Sequence, residues 1–292
     1  MKKALMRILL VMIIAATSIL VCPEAPLAKD FPNELYIGGF LLGPQVYSFN
    51  KFSFLEAIDM AKQAGASVIE AYPGQKLSQD DPRPFSHDAT PDVWAKAKIK
   101  LEQTGIRIVN YGVTGLSTDE AANRKVFDFA KIMGIPCITT EPADEASFDV
   151  IEKLVKEYDI KIAVHNHPKP SKYWDPNYVL KCVQGRDSRI GACTDTGHWM
   201  RSKIKPLEGL KILEGRIISV HLKDLNKFGL KHEGEHDVPF GQGVGQVKEV
   251  LDELRRQNFD GNISIEYEHN WMTNVGEVAQ CIDFVREYGK NK

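Results

Sequence analysis

The residues able to do chemistry gather in two short segments of the 292-residue chain. Residues 190–198 read I-G-A-C-T-D-T-G-H, and residues 216–224 read R-I-I-S-V-H-L-K-D. Each opens as an apolar run of strand length and stops abruptly at ionisable groups. Asp195 and His198 close the first; His221, Lys223 and Asp224 close the second. Polar groups collected at the carboxyl ends of parallel strands mark a ligand site. Taken singly, Asp195 reads equally as a helix cap and His221 as a hydrogen-bonded core histidine. Together they favour a metal, because other apolar runs end the same way: at Glu70 and Tyr72, Tyr111, Glu141, His165 and His167, and Glu266 and Glu268. Strand alternation puts His165 with His167, His221 with Lys223, and Glu266 with Glu268 on common faces. Carboxylate and imidazole donors without thiolate suit divalent Mn, Zn, Co or Fe, and His221 argues against Mg. Such an ion would hold a hydroxyl and a neighbouring carbonyl and stabilise the enediolate left when a carbon acid loses its proton.

Eight strand–helix units position these residues. Strands are expected over 35–42, 67–72, 106–111, 135–141, 160–165, 190–195, 216–223 and 262–267. The helices between and after them are expected over 53–64, 93–104, 118–133, 144–158, 176–183, 206–213, 247–257 and 275–288, the third capped by Ser117 or Thr118. Gly38 and Gly39 fall inside the first strand, so the phosphate loop of a doubly wound sheet is missing. The expectation is an α/β fold, a (β/α)8 TIM barrel forming a single domain over 35–290. The polar stretch 228–239, with His232 and His236, reads as a solvated loop, with a lid or second metal site as alternatives. Trp271 reads as cover for the barrel rim, with a face for a sugar ring as the alternative.

The chain is 43% hydrophobic and 26% charged, with a formal charge of -2. That balance offers no footprint for nucleic acid or an anionic membrane. Residues 1–28 differ in kind: a basic start, an apolar run over 8–21 and a small-residue site ending at Ala28. This is the pattern of a signal peptide, so export to a bacterial periplasm is expected, without membrane attachment of the mature form. A retained anchor, or a lipoprotein at Cys22, fits less well. Cys137, Cys182, Cys193 and Cys281 show no C-x-x-C spacing and read as free thiols. The expected partner is a small-molecule sugar; a homo-oligomer is compatible with the composition.

The D-T-G-H and H-L-K-D segments, the late G-Q-G at 241–243 and the I-E-Y-E at 265–268, in this order, resemble the sugar phosphate isomerase/epimerase family. That family belongs to the xylose-isomerase-like TIM barrel superfamily, with tagatose and psicose epimerases, inosose dehydratases and endonuclease IV. The resemblance implies metal ligands at Asp195, His221 and Glu266. At the strand-five position, where relatives carry Glu, this chain has His165. Either His165 ligates directly or Glu141 supplies the missing carboxylate. The resemblance places His198 against substrate or a second metal, and translates the acid/base pair into His165 (or His167) and Glu266. Lys223 either pairs with a developing enolate or bridges to Asp224 or a neighbouring Glu. The implied activity is a divalent-metal-dependent isomerase or epimerase acting on a non-phosphorylated sugar or keto-sugar. A lyase or dehydratase acting on a keto-sugar or 3-keto-glycoside, and an inactive sugar-binding barrel, are the alternatives. The charge and the export signal count against an endonuclease.

Overall fold

The computed structural model describes residues 31–229 and 234–291. The signal segment expected over 1–28, Cys22 and His232 lie outside the described residues. The chain opens with a short hairpin, β1 (Tyr36–Ile37) and β2 (Phe40–Pro44), followed by α1 (Phe54–Gln63) and β3 (Val68–Ala71). A second hairpin, β4 (Gln75–Lys76) and β5 (Pro84–Phe85), precedes α2 (Pro91–Thr104). Strand and helix then alternate through β6 (Arg107–Thr114), α3 (Glu120–Met133), β7 (Cys137–Thr140), α4 (Ser147–Tyr158), β8 (Lys161–His165) and α5 (Pro176–Val183). The last third holds β9 (Ile190–Asp195), α6 (Thr196–Arg201), α7 (Pro206–Ile212), β10 (Ile217–Leu222), α8 (Val247–Arg256), β11 (Asn262–Ile265) and α9 (Val275–Lys290).

The main sheet runs β1-β2-β11-β10-β9-β8-β7-β6-β3. Every pairing in it is parallel except the β1–β2 hairpin. A parallel bridge between Gln45 and Glu70 joins the ends of β2 and β3, and closes the sheet into a TIM barrel with helices outside. All eight barrel strands therefore deliver their carboxyl ends to one mouth.

Local chemistry explains the elements. In α1, Ser53 and Glu56 form a reciprocal capping box, and Phe54, Ala57, Ile58 and Ala61 supply the buried stripe. Pro91 opens α2 and Gly105, at φ 70, ends it. The apolar layer between barrel and helices includes a stacked Phe54–Phe85 pair at 4.0 Å. A smaller cluster of Phe31, Leu35, Leu41, Val68 and Val109 packs at the amino ends of the strands.

Several boundaries differ from the sequence reading. The strand expected over 35–42 is broken by Gly38 (φ 58) and Gly39 (φ 87), which turn the chain into the β1–β2 hairpin. The cap of α3 is Asp119, whose Oδ1 accepts from the N–H groups of Ala121 (3.0 Å) and Ala122 (3.1 Å). Strands β7, β8 and β11 stop at Thr140, His165 and Ile265, so Glu141, His167 and Glu266 stand just beyond the sheet. The four cysteines 137, 182, 193 and 281 are free and buried.

Candidate metal and catalytic site

Four side chains from consecutive barrel strands converge at the mouth. One donor atom each from His165, Asp195, His221 and Glu266 lies within 4.8 Å of all the others. His165 Nε2 is 3.7 Å from Asp195 Oδ2; His221 Nδ1 is 4.0 Å from that oxygen and 3.2 Å from Glu266 Oε2. Such separations suit atoms sharing one ion at about 2.0–2.2 Å each.

Asp195 serves both roles open to it in the sequence. Its Oδ1 caps α6 by accepting from His198 N–H at 2.7 Å, and its Oδ2 points into the cluster. That Oδ2 and His165 Nε2 are buried and have no hydrogen-bond partner. A buried polar atom left unpaired costs about 1–3 kcal/mol, so two of them aimed at one point are donors awaiting a ligand. The outer nitrogens of both rings are held by carboxylates. His221 Nε2 donates to Glu70 Oε2 at 2.9 Å, and His165 Nδ1 faces Glu141 Oε1 at 3.4 Å. This is the carboxylate–histidine arrangement that fixes a metal-binding ring. Two imidazoles and two carboxylates suit Mn, Zn, Co or Fe, so the residues present fit the implied ion.

Glu141, expected as a possible ligand, stands outside this group of four. Its Oε1 also meets His167 Nδ1 at 2.5 Å and His167 N–H at 3.1 Å, forming a second group with His165 and His167. Burial opposes the Glu141 charge, but the His165 and His167 hydrogen bonds outweigh it and hold the carboxyl well below its ordinary range. His167 is half exposed (48% for its side chain) and lines the cavity.

Lys223 is fully buried and bridges acids, though not Asp224: Nζ lies 2.9 Å from Glu268, 3.1 Å from Glu266 and 3.9 Å from Asp195. Burial alone would discharge it, but those carboxylates keep it an ammonium. Asp224 has a different task. Its carboxylate accepts from the N–H groups of Gly241 (2.9 Å), Gly243 (3.0 Å) and Gly245 (2.8 Å). The G-Q-G segment is thus a backbone cradle, and a Cβ at position 243 would collide with Asp224 Oδ1 and the Leu225 carbonyl. Thr196 locks the two motifs together, accepting from Lys223 N–H (2.9 Å) and donating to the Lys223 carbonyl (3.1 Å).

The mouth opens into a cavity of about 880 Å³, ample for a small-molecule ligand. Glu266, Glu268, His167 and His198 line one part; Tyr47, Tyr72 and Trp271 form an aromatic wall. Tyr47 sits edge-on to both Tyr72 (5.2 Å) and Trp271 (5.9 Å). Trp271 therefore faces the cavity as well as covering the rim.

The role of one residue and the presence of another escaped the sequence reading. Glu70, expected at the end of a strand, lies in β3 and acts across the barrel on His221. Arg201 follows His198 by three residues on α6, the spacing of one helical face, and is buried, with Nη1 3.1 Å from His198 Nδ1. It is held by Glu235 (3.0 Å), Asp237 (3.7 Å) and Glu268 (3.8 Å). The 228–239 stretch is accordingly not a purely solvated loop: its Glu235 carboxylate is buried against Arg201, and the Asp237 carboxyl is buried beside the same cation. His236 stacks on His269 at 4.3 Å and gathers no metal-ligating group with it among the described residues.

The family model of the xylose isomerase-like TIM barrel matches residues 58–288. The chain belongs to that family. An uncharacterized protein of Methanocaldococcus jannaschii is 28% identical over 144 residues, which is 47% of this chain and 45% of that protein's length. Among solved structures, a putative uncharacterized protein of Parabacteroides distasonis is 32% identical, with 84% of this chain and 98% of that one covered and a TM-score of 0.67. A D-tagatose 3-epimerase-like protein (18% identity, 86% and 97% covered, TM-score 0.65) and an IOLI protein with a bound zinc atom (16%, 86% and 98%, 0.64) share the fold.

Proposed function

We propose that this protein is a divalent-metal-dependent isomerase or epimerase that moves a proton at the carbon beside a carbonyl of a non-phosphorylated sugar or keto-sugar. The observation that carries this reading is the pair of buried, unpartnered polar atoms, Asp195 Oδ2 and His165 Nε2, converging with His221 and Glu266. These four would hold the ion. When bound, such an ion supplies Lewis-acid polarisation of the substrate carbonyl. The chain's own residues do the rest. His167, with Nδ1 against Glu141, leaves Nε2 free to take a proton, and Glu266 offers a carboxylate to the same cavity. Lys223 places a fixed positive charge beside Glu266, where an enolate's negative charge would be balanced. Tyr47, Tyr72 and Trp271 offer flat faces to a sugar ring. The leader pattern over 1–28 supports a periplasmic, non-phosphorylated substrate.

The cavity extends from the ionisable cluster to the aromatic wall, which favours a second reading. A keto-glycoside could seat one ring at each end and lose its leaving group after the same proton abstraction. The zinc-bound and epimerase-like neighbours support a metal and a sugar at this fold, at identities that speak for the fold alone.

Elemental analysis of the purified protein and of Asp195→Ala and His221→Ala tests the metal. About one equivalent of Mn, Zn, Co or Fe, lost in both variants, is expected. Keto-sugars are then screened for deuterium wash-in beside the carbonyl; conserved mass identifies epimerisation, and loss of a fragment identifies the lyase. Wild type that takes up no metal after reconstitution would leave an inactive sugar-binding barrel.

A further inference from the structure

Three buried histidines surround the mouth, and they are not held alike. The outer nitrogens of His165 and His221 face carboxylates, which only accept, so those nitrogens carry hydrogen; His221 Nδ1 faces a carboxylate as well, Glu266 at 3.2 Å. His198 is held by a cation. Its Nδ1 lies 3.1 Å from Arg201 Nη1, and a guanidinium has five N–H donors and no acceptor. Nδ1 must therefore be the lone-pair nitrogen, with the ring's hydrogen on Nε2. An imidazolium at this position would set N–H against N–H.

We propose that Arg201 is a positioning residue that fixes His198 as the Nε2–H tautomer, making it a hydrogen-bond donor into the cavity and barring it from service as a base or as a ligand to a second metal. The rest of the surroundings agree. His198 Nε2 points to the Asp195 side, 3.7 Å from Oδ2, and the ring lines the cavity. Arg201 cannot swing away: Nε donates to Glu235 at 3.0 Å, and its side chain is 5% exposed. The H-W-M-R spacing places both groups on one face of α6. The target of the donor, a sugar oxygen on which negative charge develops, rests on the function proposed above; the tautomer itself does not.

The test is a two-bond proton–nitrogen correlation on metal-free protein with ring-15N-labelled histidine, His198 being assigned by its absence in His198→Gln. Wild type should show Nδ1 at an unprotonated shift and Nε2 at a protonated one. Arg201→Met should give averaged or inverted shifts, and Arg201→Lys, still donor-only, should restore the wild-type pattern. Arg201→Met strands two buried carboxylates, so the Arg201→Met/Glu235→Gln double variant is made alongside it. A protonated Nδ1 in wild type, or the wild-type pattern in a folded Arg201→Met protein, overturns the proposal. Neither measurement uses substrate or metal, so failure here and failure of the sugar reading are separate results.

Discussion

Replacing Glu70 by Gln should weaken metal binding without unfolding the barrel, although Glu70 is not among the four converging donors. Glu70 Oε2 accepts from His221 Nε2 (2.9 Å), Ser264 Oγ (2.5 Å) and Asn110 Nδ2 (3.2 Å). A glutamine carbonyl can still take all three bonds, so the barrel should stay folded, with a metal-free melting temperature lower by no more than about 8 °C, the equivalent of roughly 2 kcal/mol. The charge on the acceptor is lost. A hydrogen bond to a charged partner contributes about 1.5–3 kcal/mol and a neutral one about 0.5–1.5. The difference of about 1–2 kcal/mol converts to roughly 5- to 30-fold in Kd, overlapping the roughly 10- to 100-fold usual for losing an outer partner of a ligating histidine. The assay is competition against a chromophoric chelator, with Asp195→Asn as the variant expected to lose binding altogether. Wild-type affinity in Glu70→Gln would refute the claim that Glu70 orients and enriches His221 as a ligand.

Gly243→Ala forces a methyl group against Asp224 and the Leu225 carbonyl; a loss of about 1–3 kcal/mol should appear as a lower melting temperature, and an unchanged one would show the cradle to be slack. Lys223→Met strands Glu266 and Glu268, and breaking a buried pair costs about 3–5 kcal/mol, so thermal unfolding of the metal-free protein should come roughly 10 °C earlier or more. Burial pushes the Asp237 carboxyl up to about 7, against the pull of Lys223 and Arg201. The folded state then holds a proton that the unfolded chain releases near pH 4, so this group's contribution falls as pH rises from about 4 to about 7 and is flat above. Asp237→Asn should therefore gain stability relative to wild type across that interval; parallel melting curves at pH 4.5, 6 and 7.5 would expose a difference that fails to grow.

The fold was legible because each strand announces itself twice, as an apolar run and as an abrupt ionisable end. The same ends put His165, Asp195, His221 and Glu266 among a longer set of candidates, because side chains at parallel strand termini share one mouth; the family resemblance singles out Asp195, His221 and Glu266 and leaves His165 against Glu141. What stayed hidden depends on pairing across distance. Glu70 meets His221 across 151 positions, and nothing in S-V-I-E-A-Y names that partner. Nothing in H-W-M-R names the partner of Arg201, the buried Glu235 carboxylate 34 positions later. The β1–β2 hairpin is not legible from the apolar pattern of 35–42, because it depends on Gly38 and Gly39 adopting positive φ inside that run. G-Q-G helps carry the family resemblance, yet its physical role, two N–H groups that with that of Gly245 surround Asp224, belongs to backbone geometry that a side-chain reading does not reach.

Counting charge around the mouth gives a final consequence. Glu70, Glu141, Asp195, Glu235, Asp237, Glu266 and Glu268 are buried or half-buried there, against Lys223 and Arg201 as the fixed cations. Asp237 relieves the surplus by holding a proton, and His165 does so by moving up to about 9, since Asp195 and Glu141 overcome the opposing effect of its burial. Acidic surplus in a poorly solvated site is costly unless a cation completes it. A divalent ion at His165, Asp195, His221 and Glu266 would supply that charge, so binding and folding should be coupled. At a free metal concentration a hundred times Kd, the gain is about 2.7 kcal/mol, or roughly 5–10 °C in melting temperature. The shift should vanish on chelation and in Asp195→Asn, and rise logarithmically with metal concentration. A melting temperature indifferent to Mn, Zn, Co and Fe in wild type would mean that the acidic surplus is balanced some other way, and that the four converging donors are not a metal site.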